Sequence, residues 1–334
     1  MSVIIRGNAL SLPLADASVD LIVTSPPYFG LRSYQDAGEH YAGQVGNEPS
    51  PTEFIDALIV ATAEMVRVLK PSGSIWVNLG DRYAGGGMGG SAPDGPQRNL
   101  SGQTASERRE LRRLPPGFRA KSLIGVPWRY AIRCIDDLGL ILRAEVIWDK
   151  PNGLPESVTD RVRRSHEQWF HFTTWPRYFA NVDHLRETPS GYHRGPVAIA
   201  QIPGQRRRAM LHTSNPLGKL PGSVWRIPTQ PLKVPESLGV DHFAAFPMEW
   251  PRRIIQGWSP AGGVVLDPFG GTGTTALMAK TLGRQGVSVD MSADYCRLAT
   301  WRTNDPSQIA AAMQVDKPAE QVEGQWELDL GSAS

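Results

Sequence analysis

The sequence is poor in cysteine and in long apolar runs. Its two cysteines, Cys134 and Cys296, are too few for a disulfide framework, and no Cys or His cluster has the spacing of a zinc site. We expect both thiols in the core and no bound metal. No apolar run approaches the roughly 20 residues that span a bilayer, and the N-terminus lacks the layout of a signal peptide. We therefore predict a cytoplasmic protein that does not enter a membrane.

The chain also lacks a large excess of either charge, since its formal net charge is +2, yet its positive charge is clustered. A local basic patch matters more to a polyanionic partner than the sum over the chain. Any one such patch is equally compatible with a solvated surface. The basic clusters are residues 98–121, with Arg108, Arg109, Arg112 and Arg113, then Arg161, Arg163 and Arg164, and finally Arg206, Arg207 and Arg208.

Periodicity predicts alternating strands and helices. The apolar stretches 3–5 and 21–23 are typical of buried strands, and Ser50-Pro51-Thr52-Glu53 is a capping signal that begins a helix over about 51–69. Further strands are predicted at 74–79, 140–148, 166–173, 264–267 and 286–290, and further helices at 125–138, at 248–258, from 274, and after 290. This alternation predicts a doubly wound α/β sheet.

The closing block has the layout of a nucleotide-type binding site. A strand leads into Asp267-Pro268-Phe269-Gly270-Gly271-Thr272-Gly273-Thr274 and then into a helix, so that backbone N–H groups and the helix N-terminus face one ligand. Asp290 follows Asp267 by 23 positions, where an acidic side chain accepts hydrogen bonds from ribose hydroxyls. Rossmann dinucleotide enzymes are competitors, but their fingerprint has a third glycine where this chain has Ala276. The block predicts a ligand that carries adenosine.

Two motifs together resemble one family. The glycine-rich turn resembles the S-adenosylmethionine motif of the DNA amino-methyltransferases, and Ser25-Pro26-Pro27-Tyr28 resembles their catalytic tetrapeptide. The catalytic motif precedes the cofactor motif, which resembles the permuted order of the beta class. Other family segments match in order at 70–79, 148–158, 166–167 and 242–247. The resemblance implies S-adenosylmethionine as the cofactor, with Phe246 and Pro247 in the wall of its pocket.

The resemblance also implies a Rossmann-like methyltransferase fold with a mixed, mostly parallel sheet and a small irregular target-recognition region. We divide the chain into a catalytic half at 1–183, a target-recognition region at 184–223, a cofactor-binding half at 224–305 and a loosely held acidic tail at 306–334. A mobile basic insert at 82–122 interrupts the catalytic half. The candidate DNA contacts are Arg108, Arg109, Arg112, Arg113, Arg206, Arg207 and Arg208.

The tetrapeptide suits methyl transfer to an exocyclic amino group, which is a poor nucleophile because its lone pair is delocalised into the ring. Pro26 and Pro27 fix φ and make a rigid corner, so that Ser25 and a backbone carbonyl accept hydrogen bonds from the NH₂ group. The methyl group then moves by direct displacement, helped by positioning and electrostatics. Tyr28 stacks on the base flipped out of the duplex, and Thr24 only positions the corner.

The identity of the base depends on Ser25. Family members with serine here mostly methylate cytosine at N4, so the resemblance implies site-specific cytosine-N4 methylation of DNA in a restriction-modification setting, with adenine-N6 as the alternative. Methylation at cytosine carbon-5 is excluded because neither cysteine follows a proline. Methylation of RNA or of a protein amide is a further alternative. A non-catalytic DNA-binding module is another, and the intact motifs argue against it.

The C-terminal segment carries one further motif. Gln325-Trp326-Glu327-Leu328-Asp329-Leu330 resembles the short Gln-x-x-Leu-x-Leu peptides that dock on bacterial sliding clamps. The alternative is that Trp326, Leu328 and Leu330 pack back onto the core. Double-stranded DNA is the expected partner in either case, and the sequence is compatible with a monomer or a homodimer.

Overall fold

A computed structural model describes residues 1–30, 35–36, 39–40, 43–85, 117–153, 155–156, 158–187, 217–240 and 245–314. The strands are β1 (Ser2–Arg6), β2 (Val19–Thr24), β3 (Gln35–Asp36), β4 (Glu39–His40), β5 (Leu69–Leu79), β6 (Ile141–Asp149), β7 (His166–Thr173), β8 (Val224–Arg226), β9 (Val264–Asp267) and β10 (Gln285–Asp290). The helices of the described residues are α1 (Pro51–Val68), α2 (Val126–Asp136), α3 (Glu249–Trp258), α4 (Thr274–Thr281), α5 (Ala293–Asn304) and α6 (Pro306–Met313).

One eight-stranded sheet organises the chain, in the order β1-β10-β9-β2-β5-β7-β6-β8, and β3 and β4 form a separate pair. Neighbours run parallel from β1 to β5, β7 is antiparallel to both β5 and β6, and β8 is parallel to β6. The predicted α/β class with a mixed, mostly parallel sheet is confirmed. The carboxyl ends of seven strands and the start of β7 therefore share one edge.

Alternation along the strands separates two cores, one on each face of the sheet. On β2, Ile22 packs beside α1 and α2, whereas Leu21 and Val23 face the opposite side. That second core contains six tryptophans, Trp76, Trp148, Trp169, Trp225, Trp250 and Trp258. The Trp250 ring lies 4.8 Å from that of Trp169 and 5.0 Å from that of Trp225, between centroids. This aromatic layer holds β7 and β8 against α3.

The predicted halves of the chain interleave in the sheet. β1 comes from the segment assigned to the catalytic half, yet it pairs with β10. β8 comes from the segment assigned to the cofactor half, yet it pairs with β6. β5 begins at Leu69, earlier than predicted, because Leu69 pairs with Val19 before a shift in register, after which Leu21 pairs with Ser74. The places of β1 and β8 in the sheet and the start of β5 depend on pairing between strands that are far apart in sequence. Local sequence patterns do not reveal such pairing.

The two irregular basic segments each begin and end at residues that are joined by backbone hydrogen bonds. In the predicted insert 82–122, Ala84 N donates to Ser122 O at 2.8 Å and Ile124 N to Arg82 O at 3.0 Å. In the predicted target-recognition region, Glu187 N donates to Lys219 O at 2.9 Å. Residues 86–116 and 188–216, which carry the seven candidate DNA-contact arginines, lie outside the described residues.

The prediction of a loosely held tail from 306 is wrong for its first eight residues, which form α6. Asp305 caps this helix by accepting from Gln308 N at 3.0 Å, and Pro306 occupies its first turn. Ala312 is buried and its carbonyl accepts from Arg252 Nη2 at 2.6 Å. The clamp-like motif at 325–330 lies outside the described residues.

The cysteines differ in burial. Cys134 is buried, as predicted, and burial raises the pKa of its thiol to about 12, so it stays protonated. Cys296 is only half-buried, with Sγ 3.8 Å from Ile5 O. Within the described residues, no helix combines the length and apolar character needed to cross a bilayer.

Candidate active site

A cavity of about 480 Å³ opens at the carboxyl edge of the sheet, a size typical of small-molecule sites. From β9 the chain continues to β10 on one side, and from β2 it continues to β5 on the other, so the cavity lies at a topological switch point. The predicted site residues that line it are Ser25, Pro26, Pro27, Tyr28, Phe246, Pro268, Phe269, Gly271, Thr274 and Asp290. The structure thus brings both motifs together across one cavity.

The catalytic corner follows β2 and is held from β5. The Ser25 hydroxyl donates to Asn78 Oδ1 at 3.2 Å. Asn78 is buried, and its Nδ2 donates to Gln168 O at 3.1 Å, which orients its oxygen toward the corner. Because the one hydroxyl proton goes to Asn78, the Ser25 oxygen keeps its lone pairs for a donor in the cavity. This arrangement leaves Ser25 able to accept a hydrogen bond, and the acceptor role that the sequence predicts for it stays a prediction.

Tyr28 stands between two acceptors. Its hydroxyl lies 2.8 Å from Asn78 Oδ1 and 2.7 Å from Glu167 Oε2, and its single proton goes to one of them. The Tyr28 ring rests on Gly80, where a Cβ would lie 2.6 Å from Tyr28 Cε2. Glycine at 80 therefore permits this position of the ring in the cavity wall.

An ion pair between Lys150 and Glu167 completes this wall. The side chains are 19% and 15% exposed, and the Lys150 ammonium lies 4.1 Å from the centroid of the Trp148 ring. Removing two charges from water is costly, so a half-buried pair in a cavity wall marks a functional surface more than a stabilising one.

The cofactor turn depends on its glycines and on a buried cation. A Cβ on Gly270 would lie 1.8 Å from Ser288 Oγ, so only glycine lets the turn rest on β10. Arg302 from α5 donates through Nη1 to the hydroxyls of Thr272 and Thr274, each at 2.7 Å. Burial lowers the pKa of Arg302 to about 10, which leaves it charged at neutral pH. Both threonines line the cavity, so Arg302 holds this part of the wall from behind.

Asp290 ends β10 and joins two turns. Its Oδ2 accepts from Gly271 N at 2.8 Å and its Oδ1 accepts from Ser292 N at 2.9 Å. Each carboxylate oxygen can accept more than one hydrogen bond. Asp290 lines the cavity, and the ribose-acceptor role that the spacing predicts for it stays a prediction.

Asp267 differs from its prediction as a cofactor contact, because it is 2% exposed and does not line the cavity. Its side chain points from β9 toward β2, where Oδ1 accepts from Thr24 Oγ1 at 2.6 Å. Oδ1 also accepts from Phe269 N at 3.1 Å, and Oδ2 accepts from Thr275 Oγ1 at 3.0 Å. Burial raises the pKa of Asp267 to about 6 against the effect of these donors. Asp267 therefore ties the strand before the catalytic corner to the cofactor turn.

Two other predicted cofactor contacts, Gly273 and Pro247, also do not line the cavity. Gly273 caps α4 with a positive φ of 73°, and a Cβ there would lie 2.8 Å from Ala299 Cβ, so it packs against α5. Pro247 is buried, and its carbonyl accepts from Trp250 N at 3.1 Å at the start of α3. Its neighbour Phe246 does line the cavity.

Sequence reasoning assigned no role to Asn78, Lys150, Glu167, Tyr295 or Arg302. The first three stand near strand ends at the edge where parallel strands deliver side chains to a ligand, and that position was a usable signal. Arg302 carried no such signal, because nothing in the neighbouring sequence distinguishes it from other arginines on helices.

Comparison with known proteins agrees with this geometry. The sequence model of the family N6_N4_Mtase, described as DNA methylase, matches residues 19–300. The type II methyltransferase M.XycI of Xanthomonas campestris pv. cyanopsidis is 35% identical over 305 residues, which cover 90% of this chain and 87% of the relative. M.SmaI of Serratia marcescens, also a type II methyltransferase, is 35% identical over 283 residues, covering 85% and 83%.

Solved structures share the fold. The PvuII DNA methyltransferase, described as cytosine-N4-specific, superposes with a TM-score of 0.60 at 20% identity over 94% of this chain and 91% of that one. TTHA0409 of Thermus thermophilus, solved with S-adenosyl-L-methionine, gives 0.53 at 21% identity over 95% and 96%. These two likenesses show the fold, and the match to the DNA methylase family supports S-adenosylmethionine as the cofactor. The chain belongs to the N6/N4 DNA methylase family, and it is a site-specific DNA methyltransferase.

Proposed function

We propose that the protein methylates N4 of cytosine in double-stranded DNA, after the base has been flipped out of the helix. The observation that carries the proposal is the Ser25 hydroxyl, whose proton is given to Asn78 so that its oxygen accepts from an amino group. The two relatives named above are type II methyltransferases, which supports a place beside a restriction enzyme.

The residues around the cavity fit S-adenosylmethionine. Backbone N–H groups of the glycine-rich turn and the N-terminus of α4 suit its carboxylate, and Asp290 suits its ribose. The rings of Phe246, Phe269 and Tyr295 suit its adenine and its cationic centre. When bound, the cofactor supplies an electrophilic methyl group.

The chain's own residues prepare the amino nitrogen. Ser25 Oγ and the Pro26 carbonyl accept its two N–H groups and draw its lone pair out of the ring. Because Pro26 and Pro27 fix φ, these acceptors are in place before the base arrives, which lowers the reorganisation cost of the transfer. Tyr28 stacks on the base. The nitrogen gives up one proton as it gains the methyl group, and the Glu167 carboxylate in the cavity wall accepts it.

The cavity wall beside the corner, where Lys150 pairs with Glu167, favours cytosine over adenine. Lys150 is a donor-only side chain that lines the cavity. Cytosine presents two acceptors, N3 and O2, beside its amino group, whereas adenine presents N1 and then a C–H, so a lysine with several N–H groups suits cytosine better. The cytosine-N4 specificity stated for the PvuII enzyme supports the same choice.

Transfer of labelled methyl from S-adenosylmethionine to duplex DNA, RNA and protein tests the substrate class. We expect label in duplex DNA and, by nucleoside mass spectrometry, in N4-methylcytosine. Label in 6-methyladenine would overturn the base assignment, and label in RNA or protein alone would overturn the substrate. Ser25→Ala should lower kcat about 100-fold with little change in cofactor Kd. Ser18→Ala, which removes an exposed hydroxyl bonded to Ala15 O, is the matched control.

We assign DNA binding to the basic segments. Replacing Arg206, Arg207 and Arg208 by glutamine should weaken binding to every duplex and reduce the dependence of affinity on salt. The same measurement applies to Arg108, Arg109, Arg112 and Arg113. Unchanged affinity and salt dependence in both variants would contradict the assignment.

We also propose that the segment 325–330 docks on a sliding clamp. Its support is the resemblance to clamp-binding peptides. A pull-down with the clamp should retain the full chain and lose a truncation at 318. Equal behaviour of both would contradict the proposal.

A further inference from the structure

The loop between β6 and β7, residues 150–165, presents an uncovered valine beside the active site. Val162 is 85% exposed, more than any other large hydrophobic residue in the described part of the chain. The loop begins at Lys150 and ends just before β7, and both Lys150 and Glu167 line the cavity. The loop therefore starts and finishes at the cavity wall.

The backbone around Val162 makes contacts with neighbouring parts of the chain. The Arg161 guanidinium lies 3.9 Å from the centroid of the Tyr83 ring, pairs with Glu156 at 2.6 Å and donates to the Val162 carbonyl at 3.0 Å. At the end of the loop, Lys150 N donates to Ser165 O at 2.8 Å. These contacts hold the Val162 side chain out toward solvent.

Tyr83, which contacts Arg161, relates the position of Val162 to that of the catalytic corner. The preceding residue, Arg82, donates through Nη1 to the carbonyls of Phe29 and Gly30, each at 3.2 Å. Phe29 and Gly30 directly follow the catalytic corner. Val162 is thus linked, through its neighbour Arg161 and then Tyr83 and Arg82, to the segment that directly follows the corner.

Cations stand on both sides of the valine in the sequence, with Arg161 before it and Arg163 and Arg164 after it. Arg163 is exposed, and its Nη1 donates to Gly153 O at 3.1 Å, which fixes its direction along the loop. Arg164 lies close to His166, where burial and then the Arg164 charge lower the pKa of the imidazole. An apolar side chain between guanidinium groups complements duplex DNA, in which apolar base faces lie between phosphates.

We propose that Val162 enters the base stack when the target base leaves it, while Arg163 and Arg164 hold the adjoining phosphates. The inference depends on the proposed double-stranded DNA substrate. Extrusion of a base breaks its stacking, and an apolar side chain that is already held outward fills the gap without first being ordered. Val162 then favours the flipped state without contacting the reacting atoms.

Single-turnover methyl transfer tests this role on two duplexes. Both duplexes carry a site that the wild-type enzyme methylates, and this site is first located in plasmid DNA. In the paired duplex the target base has its normal partner. In the weakened duplex an abasic nucleotide stands opposite the target base. The rate of methyl transfer by Val162→Ser should be at least tenfold below the wild-type rate on the paired duplex. On the weakened duplex its rate should lie within twofold of the wild-type rate. Val162→Ile should match wild type on both. The control is Val60→Ser, on α1, which changes a 51% exposed valine away from the cavity.

The outcomes separate this inference from the proposed function. A wild-type enzyme that labels no duplex DNA overturns both. An active wild type with Val162→Ser unchanged on the paired duplex, or equally slow on both duplexes, overturns the role of Val162 alone. Arg163→Gln and Arg164→Gln should weaken binding to both duplexes and reduce the salt dependence of the affinity, and an unchanged salt dependence overturns the phosphate contacts.

Discussion

At the scale of single residues, the Thr24 hydroxyl sets the distance between the two motifs. It donates to Asp267 Oδ1 at 2.6 Å across 243 positions of sequence, directly before the catalytic corner. We predict that Thr24→Val lowers kcat about 10- to 100-fold with little change in cofactor Kd, because a small displacement of the corner spoils the alignment of reacting atoms. Measurement of both constants checks this.

The controls for Thr24 separate positioning from stability. Thr24→Ser keeps the hydroxyl and should restore most of the rate. Thr62→Val removes another buried hydroxyl, bonded to Leu58 O at 2.7 Å, and should lower stability without slowing transfer. A Thr62→Val variant as slow as Thr24→Val would count against the positioning role.

Asp267 provides a pH prediction. Burial raises its pKa in the folded protein to about 6 from 3.8, so the folded state binds this proton more tightly than the unfolded state. Its contribution to the free energy of unfolding therefore falls as pH rises from about 4 to about 6, by about 3 kcal/mol. Urea unfolding of wild type and Asp267→Asn should give a difference that declines over this range. A difference independent of pH would contradict the shift.

Site residues could be predicted where a local motif carries the function. Ser25 to Tyr28 and Asp290 reach the cavity as the spacing indicates. The position of Asp267 could not be predicted, because its side chain points toward β2, a strand from the other end of the chain. The strand-end position of Asn78 could be recognised in the sequence, but its contacts with Ser25 and Gln168 could not, because no local pattern reports them.

At the scale of secondary-structure elements, Trp250 connects α3 to the sheet. Its ring is buried and stacked with Trp169 and Trp225. Trp250→Ala should lower the free energy of unfolding by about 3–5 kcal/mol, since it removes a large side chain from a packed layer. Denaturant unfolding measures this loss. Trp250→Phe keeps an aromatic ring and should lose less, and equal losses would argue against the stacking contribution.

Arg302 on α5 should control cofactor affinity. Arg302→Met leaves the hydroxyls of Thr272 and Thr274 without their charged donor, and we predict at least about tenfold weaker binding of S-adenosylmethionine by calorimetry. Arg297→Met on the same helix removes an exposed arginine paired with Asp294 and is the matched control. Equal affinities for the two variants would exclude the role of Arg302 in holding the turn.

Most element positions could be predicted because periodicity and capping are local. The predicted helix at 51–69 and strand at 166–173 agree with α1 and β7 to within one residue. β8 escaped prediction because three residues give no periodicity, and only pairing with β6 defines it. α6 was missed although Asp305-Pro306 is a helix-start signal, because the acidic composition beyond it suggested a tail.

At the scale of the whole molecule, the sheet requires both ends of the chain. β1 and β2 pair with β10 and β9, which follow only after residue 263. We predict that a fragment of residues 1–187 does not unfold cooperatively, because β2 has lost β9, its hydrogen-bonding partner along one edge. Thermal melting by circular dichroism checks this. Co-expression with residues 217–334 should restore a cooperative transition, and cooperative melting of the first fragment alone would contradict the prediction.

The pairing of β2 with β9 has a consequence for biosynthesis. β2 leaves the ribosome about 240 residues before β9, a delay of roughly 10 to 50 s at ordinary rates of translation. Throughout that delay the apolar run Leu21-Ile22-Val23 has no partner on one side and is exposed to other nascent chains. Because β9 follows β2 so late in the chain, we expect the yield of this protein to depend on chaperone supply during synthesis more than its stability does once it is folded.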